Sequence, residues 1–387
     1  MVDTDSATDL EWSLLRACCS LNPEGKQPQP LREFITSDLN WSRLFELGER
    51  HGVLPLLHQS LAPVRSHVPP VQSAALERAQ LANLHKALFL CRELIRVVET
   101  MEERNIQVLP YKGVALAESL YGDIALRQSG DIDLLILPQD LPRVREAALQ
   151  LGYVAHAKLS EAEEREFLKS GYELSFDGPA GPNLLEVQWA IQPRFYTVDF
   201  EIERAFQRAV DVCVAGRKMR TPSLEDSFII LALHAAKHMW ARLIWICDLA
   251  RIMAIAHVDW KAVAARATDL GIVRILRVSS ILGRRFLETT IPVALDESLP
   301  TDLHAETIAG DIESQILNGT TPDVDSLSYF RFMIRLRERK ADRLTFMTRL
   351  AFTAGPGEWA CVHLPESMFP LYRIVRLGRL AAKLVRR

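Results

Sequence analysis

The chain has 387 residues, of which 48% are hydrophobic and 25% are charged, and it contains only 6 cysteines. These proportions are typical of a folded globular protein, and they exclude a collagen, a disulfide-stapled miniprotein and an intrinsically disordered chain. The formal charge of −3 is too small to indicate general nucleic-acid binding. The sequence shows neither a secretory leader nor a run of roughly 18 apolar residues, so we expect a cytoplasmic protein without a membrane span.

Residues 1–105 are predicted to be an N-terminal helical region. Leucines recur there at helical spacing, and the stretch 71–103 is nearly free of Gly and Pro. Within that stretch the apolar side chains form one stripe, with Arg and Glu on the opposite side.

The period of the hydrophobic pattern changes in residues 106–220, which are predicted to form a small α/β core. A short strand at 106–109 ends at Pro110, a helix runs from 112–113 to about Tyr121, and a second strand covers 131–136. Another helix stops near Gly152. Alternating residues at 172–176 and 184–189 flank a Gly/Pro-rich turn and predict a hairpin, and a further short strand is expected around 212–214.

Residues 221–290 are predicted to form helices that pack on this core. Ser223 is the expected N-cap of the first helix, over 226–240, with Asp226 three residues later, and further helices are expected at 243–255 and 258–270. The last region, 291–387, is divided in charge. Residues 291–330 carry eight acidic groups and no Lys or Arg, whereas 331–387 carry thirteen basic and four acidic groups. The expected class is α+β, a small mixed sheet flanked by helical regions.

The most informative pattern is Asp131-Ile132-Asp133. Carboxylates at i and i+2 of a strand lie on the same face, where they repel each other by roughly 4 kcal/mol at about 4 Å and an effective dielectric near 20. Such a pair needs a cation, a shared proton or a nearby Arg or Lys, and Mg²⁺ prefers oxygen ligands. If the hairpin strand that carries Glu186 pairs beside Asp131–Ile136, three carboxylates meet, as metal-dependent phosphoryl or nucleotidyl transfer requires.

Three further residues fit the same chemistry. Lys112 and Gly113 lie between a strand and a helix, where free N–H groups attract phosphate, and Arg127 has a planar fork suited to phosphate oxygens. Each feature alone has an ordinary interpretation: surface aspartates, a helix start or a solvent-facing strand residue. Their joint occurrence in a strand–helix–strand segment is much more specific.

His234 and His238 lie at i and i+4 on one predicted helical face. The first interpretation is that they are packing histidines, because their neighbours are apolar. The second is that His234, Lys237 or His238 contacts a nucleotide or acceptor, and metal binding is a third. The scattered cysteines are interpreted as free thiols.

The combined pattern resembles the bacterial nucleotidyltransferase-like proteins of the polymerase β superfold, in particular a branch with Lys-Gly in place of Gly-Ser. The resemblance covers roughly residues 80–260 and includes a helical signature over 234–248. It implies that Asp131 and Asp133 bind the metal, Mg²⁺ or alternatively Mn²⁺, with Glu186 as the third carboxylate. It further implies that Lys112, Gly113 and Arg127 hold the triphosphate.

We therefore expect transfer of a nucleoside monophosphate from an NTP, with ATP as the first candidate, to an unknown small-molecule, peptide or protein acceptor, with release of pyrophosphate. The alternatives are a metal-dependent nucleotide-sugar glycosyltransferase and a non-catalytic nucleotide-binding or interaction protein on the same superfold. The basic stretch 369–387 is predicted to be an amphipathic helix. It is expected to pack one face on its own protein, and the alternatives are that it contacts a membrane surface or partner or docks onto the acidic stretch 291–330.

Overall fold

The computed structural model describes residues 9–20, 31–157, 159–179, 184–320, 323 and 326–385. Its helices are α1 (Leu10–Cys19), α2 (Trp41–His51), α3 (Leu54–Leu61), α4 (Pro70–Glu103), α5 (Gly113–Tyr121), α6 (Leu141–Gln150), α7 (Glu161–Ser170), α8 (Ile202–Arg208), α9 (Leu224–Lys237), α10 (Leu243–Met253), α11 (Trp260–Leu270), α12 (Val273–Leu287), α13 (Val293–Ser298), α14 (Leu303–Leu317), α15 (Leu327–Leu336), α16 (Lys340–Phe352), α17 (Pro356–Trp359) and α18 (Tyr372–Val385). Its strands are β1 (Val108–Pro110), β2 (Asp131–Ile136), β3 (Val154–Ala155), β4 (Glu173–Asp177), β5 (Leu184–Gln188), β6 (Val210–Val214) and β7 (Arg217–Thr221).

The main sheet is mixed, which confirms the expected α+β class. Its strand order is β1-β2-β5-β4-β3; β2 and β5 are parallel and the other pairs are antiparallel. The predicted hairpin is confirmed as β4 and β5, although part of its turn, 180–183, lies outside the described residues. Strands β3 and β7 and helix α7 were not predicted.

The first predicted strand is displaced toward the C-terminus. The prediction ended it at Pro110, but β1 includes Pro110, which pairs with Leu134 of β2. Because β1 is the edge strand of the sheet, the missing N–H of proline removes no hydrogen bond to a further strand.

The predicted N-terminal region is shared between two hydrophobic cores. Helices α1–α3 and the first part of α4 pack with the helices from α9 onward. The second part of α4, from Ala87 to Met101, packs with α6 against the apolar face of the main sheet. The opposite face of the sheet carries the acidic side chains of β2 and β5, so the helices of the first core meet the sheet where those carboxylates lie.

Helix α9 begins as predicted and ends earlier. The Ser223 hydroxyl accepts a hydrogen bond from the Asp226 N–H at 3.3 Å, which confirms the cap. The helix was predicted to continue to Trp240, but it ends at Lys237 because Met239 and Trp240 adopt positive φ angles of 52° and 49°. The fully buried Trp240 donates its indole N–H to the Ser279 hydroxyl at 3.1 Å. This turn places His238 at the helix end.

The acidic stretch 291–330 is neutralised largely by arginines of α12. Its carboxylates form ion pairs in the combinations Arg274–Asp302, Arg277–Asp296, Arg284–Glu306, Arg285–Glu306 and Arg285–Glu313, and Arg335 of α15 pairs with Asp311.

The hypothesis that the basic C-terminal helix docks onto the acidic stretch is wrong. Helix α18 packs against α16 and α17, where Arg376 and Arg379 form ion pairs with Glu358. The Arg376 Nε also donates to the Leu350 carbonyl at 2.7 Å. Of this helix, Arg387 lies outside the described residues. None of the described helices is both long and apolar enough to cross a membrane.

Candidate functional site

The residues predicted to carry chemistry meet at a cavity of about 390 Å³ between the acidic face of the main sheet and helices α9 and α10. Eight of the nine line it, and the ninth, Gly113, follows one of them in the chain. The eight are Lys112, Arg127, Asp131, Asp133, Glu186, His234, Lys237 and His238. The sequence-based selection of residues therefore corresponds to one place in the structure.

The three predicted carboxylates lie on adjacent parallel strands. Asp133 of β2 is in register with Glu186 of β5, and Asp133 is only 3% exposed. Burial, with the nearby Asp133 charge, raises the pKa of Asp131 to about 6. Burial, followed by the charges of Asp133 and Glu173, raises the pKa of Glu186 to about 8. The cluster is thus short of positive charge and suited to bind a cation.

Lys112 is the cation closest to the acidic pair. Its Nζ lies 3.0 Å from Asp133 Oδ1 and 4.8 Å from the centroid of the Tyr111 ring. Burial lowers the pKa of Lys112, but the interactions with Asp133 and Tyr111 together outweigh that effect, so the pKa lies above its usual value and the ammonium stays charged. Lys112 can therefore hold an anionic group near the aspartates.

Gly113 follows at the start of α5, where no other residue fits without strain. Its φ is +56°, and a Cβ there would stand 3.1 Å from the carbonyl oxygen of Asp131. The glycine allows the N-terminus of α5 to approach β2 closely, as the phosphate-binding hypothesis requires.

Arg127 has a buried partner that the sequence did not reveal. The expectation was a fork that neutralises phosphate, whereas its Nε and Nη2 lie 3.0 Å from the fully buried carboxylate of Asp248 in α10. Its Nη1 lies 3.4 Å from the Ser129 hydroxyl. A second donor, the Tyr121 hydroxyl, reaches the same carboxylate at 2.7 Å. In this structure Arg127 connects the segment before β2 to α10 and also lines the cavity, so its binding of phosphate stays a prediction.

Helix α9 brings nitrogen groups to the opposite wall of the cavity. The Lys237 Nζ donates to the Tyr172 hydroxyl at 2.6 Å, and burial lowers the pKa of Lys237. The rings of His234 and His238 lie 4.8 Å apart, and both contact Trp245. Burial, followed by the charge of Lys237, lowers the pKa of His238 to about 3. Burial also lowers the pKa of His234 well below its usual value. Both rings are neutral at pH 7.

Four of the lining residues that were not predicted as site residues form a hydrogen-bond network: Tyr111, Tyr172, Glu173 and Gln188. The Tyr111 hydroxyl donates to Gln188 Oε1 at 2.5 Å, and Gln188 Nε2 donates to Glu173 at 3.2 Å and to Glu186 at 3.4 Å. Tyr172 donates to Glu173. The alternation of strand side chains could have found two of them, because Glu173 and Gln188 share the face of Glu186.

The donor chemistry of the site fits Mg²⁺, but the predicted three-carboxylate arrangement is not assembled. Within the described part of the chain, no three His, Cys, Asp or Glu side chains form a group that could hold a metal. Mg²⁺ is commonly bound by one or two carboxylates, with substrate phosphates completing its shell. The same-face oxygens of Asp131 and Asp133 suit that mode, which does not require Glu186 as a ligand.

Comparison with known proteins identifies the family of this chain. A family model described as an uncharacterised nucleotidyltransferase matches residues 37–288. No curated protein matches the chain. Among solved structures, a crystal structure of ANT(2″)-Ia in complex with adenylyl-2″-tobramycin is 17% identical with a TM-score of 0.35, over 47% of this chain and 97% of that one. A solution structure of the antibiotic-resistance factor ANT(2″)-Ia is also 17% identical, with a TM-score of 0.30, over 58% of this chain and 92% of that one. Because the family match covers well over half of the sequence, the chain belongs to this family of uncharacterised nucleotidyltransferases.

Proposed function

We propose that this protein uses Mg²⁺ to transfer a nucleoside monophosphate from an NTP, with ATP as the first candidate, to a hydroxyl-bearing acceptor. The observation that carries the proposal is the pairing of β2 with β5. It sets Asp133 directly beside Glu186 in a cavity that also holds Lys112 and Lys237. Acidic groups for a metal and cationic groups for phosphates thus face one space, in a chain of a nucleotidyltransferase family.

The triphosphate is placed by residues at the start of α5. Lys112 supplies a charged ammonium, and the Gly113 backbone allows a phosphate to approach the free N–H groups of the helix end. Asp131 and Asp133 would hold Mg²⁺, which would supply positive charge to neutralise and orient the phosphates. A nucleotide phosphate gives Lys112 a second anionic partner beside Asp133.

In the transfer step, the acceptor oxygen forms a bond to the α-phosphorus while the bond from that phosphorus to the bridging oxygen of the β-phosphate breaks. Pyrophosphate leaves with the electron pair of the broken bond. Glu186 in its ionised form accepts the proton of the acceptor hydroxyl, a role that its position beside Asp133 on the floor of the cavity allows. Because the pKa of Glu186 is about 8, the ionised form is the minor one at pH 7, and transfer should accelerate as the pH rises toward 8.

Two other functions make different predictions. A nucleotide-sugar glycosyltransferase would turn over a sugar nucleotide and leave NTPs unchanged, and the family match favours nucleotidyl transfer over it. A non-catalytic protein would bind the NTP without releasing pyrophosphate. Assaying both products therefore separates the three functions.

The first experiment is calorimetry with each NTP in Mg²⁺ and again in EDTA, using the wild type, Asp131→Asn and Asp133→Asn. Both substitutions remove a charge from β2 and keep the side-chain shape. The matched control is Asp211→Asn, another strand aspartate, which lies on β6 and pairs with Lys218.

We expect magnesium-dependent binding by the wild type and the control, with losses of roughly tenfold or more in each site variant. Equal binding by all four proteins would place the nucleotide elsewhere. Binding without pyrophosphate release, across acceptors that include simple alcohols and phenols, would support the non-catalytic alternative.

A further inference from the structure

A second cavity of about 320 Å³ adjoins the site and has no assigned role. Tyr172 and Glu173 line both cavities, so these two residues form the wall between them. The second cavity lies over the β4 side of the main sheet and extends beneath the C-terminal segment that includes Thr353–Gly355 and Arg376. Its position suits the second substrate of a transfer reaction.

The polar face of the sheet forms a continuous floor under the two cavities. Asp133 of β2 is in register with Glu186 of β5, and Glu186 is in register with Ser175 of β4. Paired residues of neighbouring strands project to the same face. This row leads from the aspartates, through Glu186, to Ser175 in the second cavity, so a group held there can place a hydroxyl beside Glu186.

The described walls of the second cavity are mainly apolar and include the rings of Phe167, Phe195 and Tyr172. Leu174, Pro193 and Ala354 also contribute to these walls. A pocket of this kind binds a flat or cyclic apolar group and uses its few polar groups for orientation.

The charged groups of these walls already have partners. Arg376 pairs with Glu358 and donates to the Leu350 carbonyl, and His156 lies 2.9 Å from Asp177. Glu173 accepts from Tyr172 and from Gln188. Glu173 has only neutral donors, but it lies in the wall toward the nucleotide site, and the remaining, mainly apolar walls offer a ligand charge no unpaired partner among these groups, so the cavity favours an uncharged ligand.

The roof of this cavity comes from a part of the chain outside the family match. Thr353, Ala354, Gly355 and Arg376 lie beyond residue 288, where that match ends. The nucleotide side of the site is thus built from residues within the family match, whereas the second cavity is completed by a segment outside it. Such a segment is where acceptor selection would be expected.

We propose that the second cavity binds the acceptor, and that the acceptor is an uncharged molecule with an aromatic or alicyclic ring and a free hydroxyl. This rests on the proposed function and names its second substrate class. The ring lies between the apolar walls, and the hydroxyl reaches past Tyr172 and Glu173 toward Glu186. The hydroxyl oxygen then bonds to the α-phosphorus, its proton passes to Glu186, and pyrophosphate leaves as described above.

The test uses three phenols of similar size and different charge: p-cresol, which is neutral, tyramine, which is cationic, and 4-hydroxybenzoate, which is anionic. Binding of each is measured by ligand-observed NMR titration, with and without saturating Mg²⁺–ATP. The cavity-filling variant is Ala354→Leu, and the matched control is Ala82→Leu on an exposed position of α4. A second variant, Ser175→Val, removes the hydroxyl from the floor and keeps a strand-forming residue.

We expect p-cresol to bind most tightly and to remain bound when ATP is added. Ala354→Leu should weaken p-cresol binding roughly tenfold, and Ser175→Val should weaken it by a smaller factor. Ala82→Leu should leave it within about twofold of the wild type. ATP affinity of Ala354→Leu should also stay within about twofold, which shows that the variant is folded.

Three results would overturn the acceptor proposal: preference for a charged phenol, displacement of p-cresol by ATP, or unchanged p-cresol binding in both Ala354→Leu and Ser175→Val. Each of these results can occur even if Asp131→Asn and Asp133→Asn weaken Mg²⁺–ATP binding as expected. Unchanged Mg²⁺–ATP binding in those two variants would instead refute the proposed function. The two failures are therefore distinguishable.

Discussion

The buried pair of Arg127 and Asp248 provides a direct test of the structure. Asp248 is fully buried and Arg127 is 6% exposed, and two guanidinium nitrogens lie 3.0 Å from the carboxylate. Removing one partner of such a pair leaves an uncompensated buried charge, which typically costs about 3–5 kcal/mol. We therefore expect Asp248→Asn and Arg127→Met each to lower the free energy of unfolding by about 3 kcal/mol or more.

The assay is thermal and urea unfolding of the two single variants and the double variant. With about 2.1 cal/mol/K of unfolding entropy per residue, a chain of this length has roughly 0.8 kcal/mol/K, so 3 kcal/mol corresponds to a fall in Tm of about 4 °C. The double variant leaves no unpaired charge and should recover about 2 kcal/mol relative to the sum of the singles. The control is Asp296→Asn, whose carboxylate is 58% exposed beside Arg277 and should cost less than about 1 kcal/mol.

Additive single effects, or a loss below about 1 kcal/mol in both single variants, would refute the buried pair. The same proteins also test the original hypothesis that Arg127 binds phosphate. If it does, Arg127→Met weakens Mg²⁺–ATP binding, whereas Asp248→Asn, which frees the guanidinium, preserves or strengthens it. If both single variants are folded and bind Mg²⁺–ATP as tightly as the wild type, Arg127 only connects the segment before β2 with α10.

Three further changes follow from the site. Lys112→Met leaves the buried Asp133 without its cationic partner, so the free energy of unfolding, measured with urea, should fall by about 3 kcal/mol. Gly113→Ala forces a Cβ into a φ of +56° and to 3.1 Å from the Asp131 carbonyl oxygen, so a loss of about 1–3 kcal/mol is expected in the same assay. The pKa of His238 is lowered to about 3, so below about pH 6.5 the unfolded chain binds a proton that the folded chain does not. The free energy of unfolding therefore decreases as the pH is lowered. His238→Asn should therefore narrow the stability difference between pH 7.5 and pH 5 by up to about 2 kcal/mol, measured by urea unfolding at both values.

Much of the sheet could be predicted because its elements have strong local signals. The alternation around the Gly/Pro-rich turn gave the β4–β5 hairpin, and Ser223 gave the start of α9. The end of α9 could not be predicted, because Met239 and Trp240 leave the helical region only to bury the Trp240 ring against the α12 side chain Ser279. That tertiary contact has no signature in the local sequence.

The part of the candidate site that lies on a single strand could be predicted, whereas contacts between elements distant in the sequence could not. Asp131 and Asp133 are two residues apart on β2, so their shared face follows from strand geometry. The pairing of Arg127 with Asp248 could not be predicted, because the two residues lie 121 positions apart in the chain. The second cavity escaped prediction for the same reason, since its roof and floor come from distant parts of the chain.

The site is assembled from side chains that belong to different hydrophobic cores. The sheet supplies the carboxylates, and α9 and α10, from the helical core, supply Lys237 and Asp248. Two links cross this junction, the ion pair of Arg127 with Asp248 and the hydrogen bond from Lys237 to Tyr172. Both contain side chains that line the cavity, so a substitution in either link alters the spacing between acidic and cationic walls. Its effect on nucleotide binding should therefore extend beyond the loss of one ligand contact.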